Sequence, residues 1–69
     1  MNLADEVERH EGALTVPELA RLLSLSEKLI YRLVRQGRLP AVRIGTSVRL
    51  DPAVTAAWIR GHATVKSSK

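Results

Sequence analysis

The stretch Ser26-Glu27-Lys28-Leu29-Ile30-Tyr31-Arg32-Leu33-Val34-Arg35-Gln36-Gly37-Arg38 decides the fold. It predicts one short helix with two dissimilar faces. Leu29, Ile30, Leu33 and Val34 recur at helical spacing and form an apolar stripe. Lys28, Tyr31, Arg32 and Arg35 fall on the opposite side, and Arg38 follows just past the end. Ser26 is suited to cap the N-terminus, and Gly37 to take the left-handed position after the last turn. Alone, such a helix fits a solvated basic face as well as a binding face. Its flanks decide between the two.

Upstream, Thr15 and Glu18 stand three residues apart, the spacing of a capping box, with Pro17 in the first helical turn. A helix of about two turns therefore runs through Glu18-Leu19-Ala20-Arg21-Leu22-Leu23 and stops at Ser24. Two short helices joined by a few residues, the second basic outside, describe a helix-turn-helix. Ala20 is small enough for the helices to cross there, and Leu19, Leu23, Leu25, Ile30 and Leu33 are expected to fill the angle between them. Ser24 occupies the turn where glycine is common, and serine enters the left-handed region less readily.

Downstream the period changes from helical to alternating. Val42 and Ile44 alternate with Ala41 and Arg43, and Val48 and Leu50 flank Arg49, with Gly45-Thr46-Ser47 as a turn. A two-stranded hairpin follows, with Pro40 confining the chain to an edge position. Such a hairpin is marginal alone, so Val42, Ile44, Val48 and Leu50 are expected to pack on the helices. Arg43 and Arg49 then share a polar face and flank the tip with Thr46 and Ser47. The expected architecture is mostly α with a small two-stranded β wing: a winged helix-turn-helix over residues 13–61.

The outer segments are simpler. Residues 1–12 are an acidic leader, a short helix anchored by Leu3 and Val7 or a frayed segment, ended by Gly12. Asp51 caps a last helix with Pro52 at its first position, Val54, Ala57 and Trp58 on its inner face and Gly61 as its stop. Trp58 reads as a core lid, and residues 62–69 as a disordered, mildly basic tail.

Charge is more informative in its distribution than in its total of +4. Residues 1–18 carry five carboxylates against Arg9 alone, a net of −4. Residues 19–69 carry ten Lys and Arg against Glu27 and Asp51, a net of +8. The asymmetry points to a polyanion-binding body. A membrane surface would favour aromatic residues on the apolar face of the basic helix, and that face has none. There is no cysteine, and the two histidines, His10 and His62, have no partners at metal or catalytic spacing. No cofactor, metal or enzymatic activity is expected. The expectation is a cytoplasmic protein, associated with the nucleoid when bound to DNA.

The string Leu14-Thr15-Val16-Pro17-Glu18-Leu19-Ala20, then Ile30-Tyr31-Arg32-Leu33-Val34-Arg35, then Gly37-Arg38-Leu39-Pro40-Ala41-Val42-Arg43-Ile44-Gly45, resembles the winged helix-turn-helix domains of the excisionase family, relatives of the MerR-type DNA-binding domain. The resemblance covers about residues 13–60. It implies a module whose second helix docks in the major groove of double-stranded DNA while the wing meets the neighbouring minor groove or backbone. Members act as recombination directionality factors or small transcriptional regulators. Carried over by position, Ser26, Lys28, Tyr31, Arg32 and Arg35 become the groove-facing set, with Arg43 and Arg49 on the wing. Glu27 and Leu29 depart from the family, which commonly has a basic or polar residue and a threonine there.

Chemistry divides the labour within that set. Lys28 and Arg32 suit base edges, whereas Arg35, Arg38, Arg43 and Arg49 suit phosphates. Tyr31 suits either a phosphate or sugar contact or a half-buried ring against the wing. The partners implied are an integrase or recombinase, the transcription machinery, and further copies on adjacent DNA sites. The alternative is a protein-interaction module whose basic face docks an acidic partner, with the acidic leader folding back on that face as a competitor.

Overall fold

The computed structural model describes residues 2–63. The chain runs α1 (Leu3–Glu8), β1 (Leu14–Thr15), α2 (Val16–Leu23), α3 (Glu27–Arg35), β2 (Val42–Ile44), β3 (Ser47–Leu50) and α4 (Pro52–Ala63). The fold is mostly helical with one small antiparallel sheet.

Local capping sets the helix starts. The Thr15 amide donates to Glu18 Oε1 at 2.9 Å, and the Glu18 amide donates to Thr15 Oγ1 at 3.2 Å, completing the reciprocal box. Ser26 Oγ accepts from the Leu29 amide at 3.1 Å, and Asp51 Oδ1 from the Val54 amide at 3.0 Å. Both helices of the helix-turn-helix end in the same device. At α2 the Leu25 amide reaches the Ala20 carbonyl and the Ser24 amide the Arg21 carbonyl; at α3 Arg38 reaches Leu33 and Gly37 reaches Val34. These paired bonds are the Schellman motif, which needs a left-handed residue. Gly37 supplies it at φ 75°, and Ser24 supplies it at φ 57° despite its Cβ. Serine therefore keeps the turn geometry that glycine would give.

The sheet has three strands rather than the expected two, in the order β1-β3-β2. Leu14 pairs with Leu50 and Thr15 with Arg49, so the residues that cap α2 also extend the hairpin. On the other side of β3, Val42 pairs with Arg49, Arg43 with Val48 and Ile44 with Ser47. The third strand answers the marginal stability of an isolated hairpin.

One core joins all the helices to β1 and β3. Ala4, Val7, Leu14, Val16, Leu19, Ala20, Ile30, Leu39, Val48, Leu50 and Ala56 are buried, with Leu22, Leu23, Leu33, Val34, Trp58 and Ile59 packed around them. Burial of Ala20 at the crossing of α2 and α3 agrees with the close approach that a small residue permits. Leu25, expected in that angle, is exposed. Leu39 is buried just after the α3 terminus, which fixes the direction in which the chain leaves for β2.

The leader is a docked helix. α1 packs chiefly on α4 and also on α2. Its buried anchors are Ala4 and Val7; Leu3, expected inside, is exposed. Asn2 caps it by accepting from the Asp5 amide at 2.9 Å. Arg60 of α4 holds it from outside, 2.9 Å from Asp5 and 2.7 Å from Glu8. Asp5 and Glu8 are thus engaged on α4, and the leader packs there rather than on the basic face of α3.

The inner face of α4 also differs from expectation. Thr55 and Ala56 are buried while Val54 and Ala57 are exposed, because docking of α1 rotates the contact line away from the expected stripe. Trp58 packs at the core margin, its ring 4.2 Å from that of His62. Gly61 does not stop the helix, which continues to Ala63. The tail expected over 62–69 lies outside the described residues from 64 onward.

Candidate nucleic-acid interface

α3 presents the site. Turning about 100° per residue from buried Ile30, Lys28, Arg32 and Arg35 fall in one arc on the outward side, and all three are exposed. Tyr31, 41% exposed, flanks this arc on one side. Gln36, absent from the residues expected at the site, flanks it on the other and is exposed as the C-cap. Ser26 lies at the N-terminal end with its hydroxyl already engaged by the Leu29 amide. Arg38 is exposed just beyond the Gly37 turn.

The apolar side of α3 is narrower than its sequence stripe. Only Ile30 is buried outright; Leu33 and Val34 pack on the core from its margin. A helix anchored by so few contacts projects most of its circumference into solvent. That is the geometry a groove-inserted helix needs.

The electrostatics of this surface are set by the absence of internal partners. The ion pairs among the described residues include His10 with Glu18 at 3.6 Å and Arg60 with Asp5 and Glu8. Lys28, Arg32, Arg35, Arg38 and Arg43 have no carboxylate partner there. These five uncompensated cations, three on α3, Arg38 just past it and Arg43 on β2, raise the local positive potential and draw in a polyanion. The acids sit elsewhere: Glu18 in its capping box, where the Thr15 amide holds its carboxyl below the ordinary glutamate value, and Asp51 at its cap.

The β2–β3 hairpin divides the remaining expected residues. Facing residues in an antiparallel pair point to the same side. Arg43 therefore shares the side of Val48 and Leu50, which look into the core that also holds Ile30 of α3. Arg49 points to the reverse side with Val42 and Ile44, and its Nη1 donates to the Val48 carbonyl at 3.0 Å. The expected pairing of Arg43 and Arg49 on one polar face does not occur. Thr46 and Ser47 are exposed at the tip. Val42 and Ile44, expected against the helices, are 57% and 65% exposed. Within the hairpin it is β3 that carries Val48 and Leu50 into the core, while β2 lies at the sheet edge with its main contacts to β3.

Among the described residues no group of histidine, cysteine or carboxylate side chains could hold a metal ion. No described helix is long and apolar enough to cross a membrane.

Two curated mycobacterial relatives, "Putative DNA-binding protein Rv0500A" of Mycobacterium tuberculosis strain H37Rv and "Putative DNA-binding protein MT0521" of strain CDC 1551, are each 54% identical over 37 residues. The match takes in 54% of this chain and 47% of each relative, so the chain spans about half the length of the curated relatives it matches. No solved structure matches it. Residues 13–63, from the residue before β1 to the end of α4, match a family described as a helix-turn-helix domain. The chain belongs to this helix-turn-helix family.

Proposed function

We propose that the protein binds double-stranded DNA sequence-specifically, with α3 in the major groove and the β2–β3 hairpin as a wing on the adjoining minor groove or backbone. The observation that carries this reading is the arc of exposed cations on α3, none of them neutralised by a carboxylate among the described residues. Lys28 in the first turn and Arg32 one turn further along the same arc reach base edges, where a guanidinium can bridge guanine O6 and N7. Arg35, Arg38 and Arg43 neutralise phosphates, and Ser26, Tyr31, Thr46 and Ser47 supply neutral hydrogen bonds that fix register. Arg49, on the reverse side of the hairpin, is left out of the contact set. Glu27 repels phosphate, so its place is opposite a cytosine amino group.

The biological role we infer is that of an excisionase-type recombination directionality factor or a small transcriptional regulator of the MerR-like superfamily. The mycobacterial relatives carry DNA binding in their names, which supports the binding step common to both roles. One module covers one half-site, so specificity draws on further copies, an integrase or recombinase, or the transcription machinery. Selection from a pool of randomised duplexes tests the reading. Enrichment of a short motif, lost in Arg32→Ala, is the expected result. Binding without enrichment would reduce the protein to a non-specific DNA binder. Absence of binding would move the basic face to an acidic protein partner.

A further inference from the structure

We propose that the free edge of β2 pairs with β2 of a second copy, and that DNA switches this pairing on. The proposal rests on the DNA-binding reading above and names the surface through which copies meet. β2 is the edge strand of the sheet, makes its main contacts with β3, and exposes all three of its residues. Its reverse side carries two β-branched residues, Val42 and Ile44, that stay more than half exposed, at 57% and 65%, beside a shallow concavity also lined by Ala13 and Pro52. An apolar edge with unpaired backbone groups is a template for another strand.

The sequence of the strand, Val42-Arg43-Ile44, selects the occupant. Two copies related by a two-fold axis through Arg43 form antiparallel strands in which Val42 faces the partner's Ile44, and Ile44 the partner's Val42. Both apolar pairs fall on the same side, as a self-complementary interface requires. The sheet becomes six-stranded across the axis, and its two weak edges disappear.

Charge supplies the switch. The same axis sets Arg43 directly opposite its counterpart, on the side of the sheet that faces the core. Like charges facing each other destabilise a strand pair. A three-residue edge also buries far less than the roughly 1,200 Å² at which stable interfaces begin. Both facts oppose pairing in free solution. On DNA the balance reverses. A phosphate between the two guanidinium groups turns repulsion into a shared contact, and tethering on one duplex raises the effective concentration. Val42 and Ile44 point away from the side that carries Arg43, so the apolar contact and the DNA contact do not compete.

The chain has no cysteine, so introduced thiols report the register directly. Val42→Cys and Ile44→Cys are made separately, with tags of different length, in positions exposed enough to leave the fold intact. They are mixed in a glutathione redox buffer with and without a long random-sequence duplex. Facing residues in an antiparallel pair lie about 4.5–5.5 Å apart, within reach of a disulfide. The expected result is a mixed dimer well above its statistical share, with a yield roughly tenfold higher on DNA. Statistical proportions of the three dimers, equal yields with and without DNA, or no dimer while a gel shift shows the protein bound would each overturn the pairing. Absence of a gel shift would instead remove the DNA-binding reading, and the pairing with it.

Discussion

Ser24 holds the turn between α2 and α3 in a conformation that its side chain opposes, and Ser24→Gly measures by how much. At φ 57° and ψ 42° the residue is left-handed, which costs an L-residue about 1–2 kcal/mol. Glycine removes that term but adds roughly 0.5–1 kcal/mol of lost backbone freedom on folding. Ser24 is exposed and makes no side-chain hydrogen bond among the contacts described, so no contact is lost. The net expectation is a gain of about 0.5–1 kcal/mol, or roughly 2–8 °C in Tm for a domain of this size. Thermal and urea unfolding followed by circular dichroism read it, with an unchanged urea slope confirming that compactness is the same. The reverse change at the matching position, Gly37→Ser, should destabilise the fold. A Ser24→Gly variant that is neutral or less stable would refute the reasoning, showing that the serine hydroxyl contributes as much as its Cβ strain removes.

Thr55→Val should stabilise the fold by about 1–2 kcal/mol, since the Thr55 hydroxyl is fully buried without a partner among the described residues and valine keeps the shape; equal or lower urea midpoints would show that the hydroxyl is satisfied. Arg32→Ala should weaken cognate DNA binding by about 1–3 kcal/mol and relax preference at one base position; an equal loss on random DNA would make Arg32 a phosphate contact. Glu18 titrates below its ordinary value in the folded state, chiefly through the Thr15 amide, so its contribution is present above the unfolded pKa and is lost as pH falls through the folded one. Glu18→Gln should therefore flatten the acid limb of the Tm-versus-pH curve, and an unchanged limb would place that dependence elsewhere.

What was legible in the sequence was what is local. The Thr15–Glu18 box, the Ser26 and Asp51 caps and the Gly37 turn each depend on residues within a few positions, and these fixed the helices and the outward arc of Lys28, Arg32 and Arg35. What was not legible depends on long-range pairing. β1 is two residues long, too short to show an alternation, and becomes a strand only because Leu50 and Arg49 lie beside it. Alternation placed Val42 and Ile44 on one side of β2 without saying which side faces the helices. That choice belongs to β3, and it separates Arg43 from Arg49. The leader is poor in large apolar residues, yet it docks because the small Ala4 joins Val7 in the core and the Arg60 pairs span more than fifty residues. Gly61 signals a helix end only when it turns left-handed, and here it does not.

The most direct test of the central claim is binding to random double-stranded DNA across a salt series. The five unneutralised cations of α3 and its surroundings would release counterions in proportion to the phosphates they meet, so log K should fall against log salt with a slope of roughly −4 to −5. A slope near zero, or no binding even at low salt, would contradict the account and leave α3 as a docking face for something other than nucleic acid.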